Sequence, residues 1–251
     1  MSPVIARPAP EQDDDYAVTA EFYDVLQARQ DSMRVERLYG GAVASARLGV
    51  LDVGAGTGRV TLMSLANSQV DVHAVEPSRA MRGPLMTRLA SLPAELRARV
   101  TVHPEPLGEA GLRGVADVAV CHNVVACLSP ASRRALWPAV AASLVPGGSL
   151  FLQLPPARVP GDDIVRVLPE QQVGRHHYGG RVTMSGAGDR IQTRFDYWVR
   201  AGAGVLREST ETFWMWPAWR AELVSDLAPY RFVPRTGVCD PDVLAMTLRG
   251  P

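Results

Sequence analysis

The sequence predicts an α/β fold built on a doubly wound, mostly parallel sheet. Between residues 48 and 154, short apolar segments typical of strands alternate with segments whose apolar spacing is helical. The stretch GVLDVGAGTGRVTLMSL, residues 49–65, joins the first strand to the first helix through three glycines at alternate positions. Ligands of such sheets bind at the carboxyl ends of the strands, near the point where the strand order reverses. The alternation and the glycines together predict a ligand site where the first strand ends.

The strands of this alternation are short, and helix signals separate them. We predict strands at residues 48–53, 70–75, 99–103, 115–121 and 150–154. One helix follows the glycines directly, and a second runs from its cap at Ser78 to about residue 91, disturbed by Pro84. Ser129 and Pro130 open a third helix. The glycines of VPGGS, residues 145–149, are expected to end that helix with a left-handed cap.

The remaining segments differ from this alternation in composition and periodicity. Residues 190–200 alternate apolar and polar side chains, the two-residue period of a half-buried antiparallel strand. Pro217 is expected to open a helix that two closing strands follow. An antiparallel insertion at the carboxyl edge of the sheet predicts either a substrate cover or a dimer contact. We divide the chain into a flexible tail (1–12), N-terminal helices (13–46), the α/β core (47–154), the β insertion (155–216) and a C-terminal completion of the core sheet (217–251).

Composition excludes several classes of function. The 251 residues carry a formal net charge of zero, so bulk charge gives no reason to expect nucleic acid as a partner. No apolar window is long enough for a membrane helix and no apolar signal core follows the N-terminus, which predicts a cytoplasmic protein. Cys121, Cys127 and Cys239 have no metal-ligand spacing, so we expect no metal. All 26 basic residues are arginine, an actinobacterial-like composition that excludes lysine-based Schiff-base chemistry.

The glycine pattern itself argues against a phosphate-rich ligand. The dinucleotide fingerprint needs a third glycine at residue 59, which is arginine, and a Walker A loop needs a lysine. Three alternate glycines still indicate that a ligand approaches the backbone closely. Glu76 ends the second strand, 22 positions after Gly54, where a carboxylate accepts hydrogen bonds from both hydroxyls of a ribose and disfavours a 2′-phosphate. The alternative for Glu76 is a favourable charge at the start of the helix that Ser78 caps.

Five segments together resemble the class I S-adenosylmethionine-dependent methyltransferases, which have a Rossmann-like fold: VLDVGAGTG, VHAVEPSRAM, VTVHPEP, GVADVAVCHNVVACL and LVPGGSLFLQLP. The resemblance implies S-adenosylmethionine as the cofactor. It implies that Asp52 helps to hold the methionine end, that Glu76 accepts from the ribose, and that His122 and Asn123 face the sulfonium end. Residue 105, beside the adenine, is Glu where the family often has Asp. The implied cofactor residues are Asp52, Gly54, Ala55, Gly56, Gly58, Glu76, Pro77, Met81, Glu105, Pro106 and Asn123.

The N-terminal helix and the insertion resemble those of small-molecule methyltransferases that act on amino sugars, amines and other natural-product scaffolds. In that group, the N-terminal helices form a lid and the insertion covers the acceptor. The implied substrate contacts are Tyr16, Tyr23, His176, Tyr178 and Trp214, with helix or core packing as the alternative for the aromatic residues. His122 and His177 are the candidate general bases, because a histidine titrates near neutral pH. A hydrogen-bonded structural role is the alternative for each histidine.

The predicted function is therefore methyl transfer from S-adenosylmethionine to a small-molecule intermediate of specialised metabolism. The acceptor atom, nitrogen, oxygen or carbon, stays open at this point, and the insertion favours a homodimer. One alternative is a methyltransferase fold with a non-methylating role, as a cyclase or a binding partner. A nucleic-acid methyltransferase is disfavoured by the neutral charge and by the absence of an N-P-P-Y type motif after the fourth strand. Binding of NAD in place of S-adenosylmethionine would indicate an oxidoreductase.

Overall fold

The computed structural model describes residues 16–202, 204–237 and 240–250 of the chain. The predicted tail at 1–12 and the thiol of Cys239 lie outside these ranges. The described chain begins with α1 (Thr19–Ala44), one continuous helix of 26 residues where the sequence predicts one or two. Its buried side chains include Phe22, Leu26, Val35, Tyr39 and Val43, whose spacing places them along one side of the helix.

Seven strands form the central sheet: β1 (Gly49–Val53), β2 (Asp71–Val75), β3 (Val100–His103), β4 (Ala116–Cys121), β5 (Leu144–Gln153), β10 (Phe232–Pro234) and β11 (Val243–Leu248). Their order across the sheet is β10-β11-β5-β4-β1-β2-β3. Strands β1 to β5 pair in parallel, whereas β11 is antiparallel to both β5 and β10. The predicted α/β fold with a mostly parallel sheet and an antiparallel closing strand is confirmed.

Helices cover both faces of this sheet: α2 (Arg59–Asn67), α3 (Arg79–Ala90), α4 (Ala94–Arg97), α5 (Pro130–Ser143) and α6 (Arg220–Leu227). Side chains of α1, α2 and α3 pack on one face of the sheet, and those of α5 and α6 pack on the other. Alternate residues of β1 and β4 enter the two apolar clusters, as expected for strands that are buried on both faces. Among the helices of the described ranges, none combines the length and the apolar character that crossing a bilayer requires.

The helix starts largely follow the predicted caps. The Ser78 hydroxyl accepts a hydrogen bond from the backbone N–H of Met81, and the Ser129 hydroxyl accepts one from Ser132. Pro84 lies inside α3, and the helix continues past it to Ala90, because Leu85 and Leu89 beyond the proline are buried in the core. Helix α6 begins at Arg220, later than the predicted opening at residue 217.

The prediction that VPGGS ends a helix with a left-handed cap is wrong. Helix α5 ends at Ser143, and β5 begins at the next residue and includes both glycines. Gly147 does adopt a left-handed φ of 85°, but it does so where the pairing of β5 with β4 shifts register. A Cβ at Gly148 would lie 2.8 Å from the carbonyl oxygen of Val145. The glycines therefore allow an irregularity inside the strand, where the backbone folds closely on itself.

The insertion forms a separate antiparallel sheet of four strands, in the order β6-β7-β8-β9. These are β6 (Ile164–Val173), β7 (His176–Ala187), β8 (Arg190–Ala201) and β9 (Gly204–Met215). The sequence predicts an antiparallel insertion and, within it, β8, whereas the residues of β6 do not alternate clearly in polarity. The alternation along β8 is confirmed: Ile191, Thr193, Tyr197 and Val199 are buried. Phe22 and Leu26 of α1 pack on this same face of the insertion.

Candidate active site

The carboxyl ends of the parallel strands meet along one edge of the central sheet. Val53, the last residue of β1, is in register with Val75 of β2 and with Cys121 of β4, and Val75 is in register with His103 of β3. The residues that follow these positions are therefore neighbours in space. This edge collects the predicted glycine turn, Glu76 and the segment that begins at His122.

The turn after β1 needs glycine at three positions. Gly54, Gly56 and Gly58 have φ values of 70°, 58° and 94°, a left-handed region that other residues adopt at a cost. A Cβ at Gly54 would lie 2.7 Å from Val124, and one at Gly58 would lie 2.5 Å from Leu85. A Cβ at Gly56 would meet no atom of the described chain within 4 Å. Packing thus accounts for two of the glycines, whereas the surface at Gly56 is open to a ligand.

Glu76 is buried beside this turn, with only 7% of its surface exposed. One carboxylate oxygen accepts the backbone N–H of Gly56 at 2.7 Å, and the other accepts that of Ser78 at 2.8 Å. Burial raises the pKa of Glu76, while the two N–H donors and nearby Arg82 oppose that rise. Each oxygen has a second acceptor position, so the carboxylate is able to bind two further hydroxyl donors.

Asp52 is a buried carboxyl one strand position before the end of β1. The hydroxyl of Thr61 on α2 donates to it at 2.6 Å. Burial raises the pKa of Asp52 to about 7, the Thr61 hydrogen bond opposes this rise, and the charge of Glu76 adds to it. Asp52 and Glu76 therefore influence each other electrostatically from the ends of adjacent strands.

His122 follows β4 directly and is 8% exposed. Its Nδ1 lies 3.2 Å from the hydroxyl of Tyr39 on α1, and its Nε2 has no hydrogen-bond partner within the described ranges. Burial lowers the pKa of His122 to about 4, and the charges of Arg34 and Arg59 lower it further. The imidazole is therefore neutral at physiological pH, with Tyr39 fixing one of its two nitrogens.

Asp24 connects α1 to the glycine turn. Its carboxylate accepts the hydroxyl of Thr57 at 2.8 Å and a guanidinium N–H of Arg59 at 3.0 Å. The same carboxylate forms an ion pair with Arg88 of α3 at 2.6 Å. One acidic residue thus holds the N-terminal helix against the turn and against the helix that follows β2.

The tyrosines predicted near the site do reach this edge. The hydroxyl of Tyr23 accepts from the side-chain amide of Asn123 at 3.4 Å and donates to Asp31 at 3.3 Å. Tyr16 stacks on Phe213 of β9, with ring centroids 4.6 Å apart, and hydrogen-bonds Cys127 in the turn after β4. The N-terminal segment therefore lies over the carboxyl ends of β1 and β4.

Trp214 lies on the face of the insertion that points away from Tyr16. The two-residue alternation directs Phe213 toward Tyr16, so its neighbour Trp214 faces away and packs under the guanidinium of Arg190 at 3.8 Å. Phe213, and not Trp214, is the aromatic residue that meets the N-terminal segment. The substrate contact predicted for Trp214 stays a prediction, and no contact with the N-terminal segment supports it.

His176, His177 and Tyr178 lie at the far end of the insertion sheet. His177 is in register with Arg200 of β8, seven residues along the strand from Thr193, the partner of Phe213. At about 3.3 Å per residue, these seven positions place His177 roughly 23 Å along the sheet from Phe213. Tyr178 packs against Phe22 of α1. Proximity therefore does not support the catalytic role predicted for His177 or the substrate contacts predicted for the two residues beside it.

The other predicted cofactor residues lie at the same edge as the glycine turn. Met81, in the first turn of α3, is buried, and Pro77 just before that helix is exposed. Glu105 and Pro106 are exposed in the segment that follows β3. Ala55 is buried, and its backbone N–H donates to the carbonyl of Val75 at 3.0 Å.

A cleft of about 750 Å³ opens beside the loop that leaves β5. Its walls include Pro156, Val159, Met184 and Ile191, and its rim includes charged Arg158. None of the predicted site residues lines it. The cleft is therefore distinct from the glycine turn.

Several residues that build the edge, or that hold α1 in place, escape prediction from the sequence. Thr61, Tyr39, Asp24, Arg88 and Glu211 all make their contacts through tertiary structure. Two carboxylate oxygens of Glu211, on β9, accept the backbone N–H groups of Val18 and Thr19 at the start of α1, at 3.4 and 2.7 Å. A single sequence carries no local signal for such partners.

Comparison with known proteins identifies the fold. Residues 51–150 match the family model described as a methyltransferase domain. No curated protein matches the sequence. Several solved structures match nearly the whole chain. CalS10 from Micromonospora echinaspora, an amino pentose methyltransferase solved with S-adenosylmethionine bound, is 21% identical, with a TM-score of 0.65 over 97% of this chain and 99% of that one.

DesVI from Streptomyces venezuelae is 16% identical, with a TM-score of 0.69 over 97% of this chain and 100% of that one. The sugar N-methyltransferase KedS8 from Streptoalloteichus is 19% identical, with a TM-score of 0.64 over 100% of this chain and 98% of that one. The fold, including the antiparallel sheet, is thus shared with these proteins. Residues 51–150, which include the glycine turn at the end of β1, are thus similar to a methyltransferase domain.

Proposed function

We propose that the protein transfers a methyl group from S-adenosylmethionine to a small-molecule acceptor of the amino-sugar type. One observation carries the proposal: the open surface at Gly56 adjoins the buried carboxylate of Glu76, at an edge that also holds His122 and Asn123 beneath α1. That edge offers an open surface for a nucleoside beside Glu76, and polar side chains for an acceptor at His122 and Asn123.

The residues of the edge fit this cofactor. The left-handed turn from Gly54 to Gly58 lets a ligand approach the backbone, and Glu76 has the acceptor positions that two ribose hydroxyls require. Asp52, Met81, Glu105 and Asn123 are proposed to surround the rest of the molecule, as the resemblance implies. The turn shows no lysine and no third fingerprint glycine, which suits a nucleoside without phosphate.

When bound, S-adenosylmethionine supplies a methyl group on a sulfonium, which a nucleophile displaces in line. The chain has to align the acceptor and exclude water, and most of the rate of such a step comes from positioning. Helix α1 supports both tasks, because Asp24 fixes it against the turn and Tyr23 fixes it against Asn123. We propose that α1 acts as the lid of the site.

His122 is proposed to orient the acceptor rather than to take a full proton from it. An imidazole with a pKa of about 4 is a weak base, so it accepts a hydrogen bond more readily than a proton. The tautomer that donates from Nδ1 to the Tyr39 oxygen leaves the lone pair of Nε2 available. A neutral amine needs no stronger base, because it attacks with its own lone pair.

The structural neighbours support an amine acceptor. CalS10 is an amino pentose methyltransferase and KedS8 a sugar N-methyltransferase, and both match this chain over nearly its full length. The neutral charge of the chain gives no comparable support for a nucleic-acid acceptor.

The cofactor is tested by calorimetric titration with S-adenosylmethionine, S-adenosylhomocysteine and NAD. We expect both sulfur nucleosides to bind and NAD not to bind. Glu76→Gln should weaken S-adenosylhomocysteine binding about 10- to 100-fold, since one buried charge-assisted acceptor is lost. Glu95→Gln, an exposed carboxylate on α4, is the matched control and should leave the affinity unchanged. Binding of NAD alone would contradict the proposal.

The acceptor is tested with pairs of nucleotide-linked sugars that differ only in carrying an amine or a hydroxyl. Mass spectrometry should detect the gain of one methylene unit on the amine and no change on the hydroxyl partner. His122→Asn should lower kcat roughly tenfold through lost orientation while the affinity for S-adenosylhomocysteine stays the same. Tight cofactor binding without product from any sugar would favour the non-methylating alternative.

We also propose that the outer strands of the insertion form a homodimer contact. Strands β6 and β9 are the edges of that sheet, and Val165, Val167, Val205 and Leu206 are each at least half exposed on them. Exposed apolar edge strands are typical of pairing surfaces. Sedimentation of the protein and of Val167→Lys should show a dimer for the former and a monomer for the latter.

A further inference from the structure

A groove of about 500 Å³ lies between helix α3 and strand β3, at the end of the central sheet that is opposite β10. We call it the α3–β3 groove. Two arginines, Arg82 and Arg97, contribute to its walls. The rest of its lining is apolar and consists of Met86, Leu89, Ala90, Val100, Val102 and Pro104. None of these residues is among those proposed to bind the cofactor or the acceptor.

Strand β3 is the last strand of the central sheet, and no strand of the described chain pairs with its outer side. The main-chain carbonyl of Arg99 accepts an N–H group from β2, and so does that of His103. Because this direction alternates along a strand, Val100 and Val102 direct their N–H and C=O groups outward. Their side chains pack on the face of the sheet that α3 covers. The groove therefore combines an unpaired main-chain edge with an apolar surface beside it.

The two arginines are held in the same way. Nη1 of Arg82 donates to the main-chain carbonyls of the two residues after β2, at 2.7 and 2.8 Å. Nη1 of Arg97 donates to the carbonyls of Ala90 and Leu92, at 3.2 and 3.3 Å. In each guanidinium, Nε and Nη2 share another edge, which hydrogen-bonds no group of residues 16–202, 204–237 or 240–250. Such an edge forms two parallel hydrogen bonds with one carboxylate.

The positive charge of the groove has no matching carboxylate in its walls. No acidic residue lines the groove, and neither Arg82 nor Arg97 forms an ion pair with an acidic residue that the structure describes. Glu95 and Glu105, which flank the groove along the chain, are exposed to solvent. The carboxylate of Glu76 feels the charge of Arg82 but binds backbone N–H groups. The groove therefore favours an anionic partner.

The positions of the arginines select the shape of that partner. Arg82 is anchored to the residues after β2, and so lies near Pro104, which follows β3. Arg97 precedes β3 and lies near Val100 at the other end. At about 3.3 Å per residue, the four steps from Val100 to Pro104 span roughly 13 Å. In an extended peptide, residues i and i+4 are separated by the same distance and share a face with residue i+2.

We infer that an extended acidic segment of a partner protein binds the α3–β3 groove as an eighth strand of the central sheet. Its main chain pairs with Val100 and Val102, and its apolar residue i+2 enters the groove. Its carboxylates at i and i+4 bind the free edges of Arg82 and Arg97. A second copy of this chain fits the edge poorly, because an antiparallel pairing of two β3 strands would bring the arginines of both copies together.

The test uses the full chain and a blocked peptide of seven residues, with aspartates at positions two and six, leucine at position four and threonines elsewhere. In NMR titrations, the peptide should shift the amide signals of Val100 and Val102. Arg97→Gln should weaken its binding about tenfold, since a charge-assisted pair is lost. Arg113→Gln, which replaces an exposed arginine outside the groove, is the matched control and should leave the affinity unchanged.

A second comparison uses the wild-type chain alone. A peptide of the same composition with adjacent aspartates should bind at least fivefold more weakly, because it reaches only one arginine. N-methylation of the leucine and of the threonine before it removes the N–H groups that are able to face β3, and should weaken binding at least tenfold.

Three results would overturn the inference. The first is that the wild type does not bind the peptide, or that Arg97→Gln binds it as tightly as Arg113→Gln. The second is equal binding of the methylated and unmethylated peptides, which would make the groove a site for a small apolar anion. The third is a dimer of the free protein that the peptide dissociates, which would make a second copy of this chain the occupant.

Discussion

The glycine-turn edge and helix α1, which we propose as the lid, place their polar groups in different ways. At the edge, Gly54, Glu76 and His122 are brought together because the strands before them end in register. In the lid, Tyr16 and Tyr23 reach the edge only because α1 packs against residues far along the chain, such as Phe213 and Asn123. The edge is built by backbone pairing, which tolerates change in side chains. The lid is built by side-chain contacts, each of which a single substitution removes.

Gly58→Ala should cause the largest loss, because it strikes the backbone of the edge directly. The residue would keep a left-handed φ and place its Cβ 2.5 Å from Leu85, which is fully buried. We expect a loss of about 3 kcal/mol in the free energy of unfolding, from strain together with overpacking. Urea denaturation measures it.

Gly56→Ala is the control for that change. It shares the left-handed φ but meets no described atom, so strain alone should cost about 1 kcal/mol. The affinity for the cofactor should nevertheless fall by more than this loss of stability explains, because the added methyl group occupies the surface that is open to a ligand. Equal stability losses in the two variants would show that packing against Leu85 does not matter.

Asp52→Asn should change how stability depends on pH. The pKa of Asp52 is raised to about 7 by burial, so its stabilising contribution is complete below the unfolded pKa near 4 and is lost as pH rises through 7. The wild type should therefore lose roughly 2 kcal/mol relative to Asp52→Asn between pH 5 and pH 8. Denaturation series at several pH values measure the difference.

Asp117→Asn provides a control of opposite sign. Burial alone would raise the pKa of Asp117, but the backbone N–H groups of Arg47, Gly49 and Leu48 lower it. The stability that the Asp117 carboxylate contributes is lost only as the pH falls through its pKa, which lies below the ordinary range of aspartate. The difference between wild type and Asp117→Asn should stay flat from pH 5 to pH 8, and a slope there would remove the basis for the Asp52 interpretation.

Glu211→Gln should weaken the lid without disturbing the edge. The carboxylate accepts the first N–H groups of α1 and favours the positive end of the helix, so its neutralisation should cost about 1 kcal/mol. Limited proteolysis should cleave the start of α1 faster while α2 and the strands stay protected. Glu208→Gln, on the same strand, is the control. Unchanged cleavage in Glu211→Gln would mean that packing alone holds the helix start.

The smallest expected effect is a difference between substitutions on the two faces of β9. Phe213→Leu should lower the free energy of unfolding by about 1 kcal/mol and raise the KM for the acceptor, because the ring of Phe213 stacks on Tyr16. Trp214→Leu should leave the KM unchanged, since its ring packs under Arg190 on the opposite face. Thermal denaturation and steady-state kinetics measure both variants. A raised KM in Trp214→Leu alone would support the predicted substrate contact of Trp214 and contradict the role given to Phe213.

The sequence predicted most of the edge, because short-range signals encode it. Strand periodicity, three glycines and one acidic residue at the end of β2 lie within 30 residues of each other, and the parallel register follows from the alternation of elements. The VPGGS segment shows the limit of this reasoning: the same glycines suit a helix end or an irregular strand, and only the pairing of β5 decides. Asp24 and Arg59 were beyond prediction because their partnership depends on how α1 crosses the turn.

The cap that Glu211 provides for the start of α1 forms late in the synthesis of the chain. Helix α1 is synthesised before every strand of the described chain, while the residue that secures its first turn follows 192 positions later. During synthesis, the first N–H groups of α1 therefore lack their carboxylate acceptor until β9 has been made. A nascent chain arrested after residue 155 should carry β1 to β5 and a helix α1 whose first turn is not yet capped, which makes that stage a natural one for a chaperone to protect.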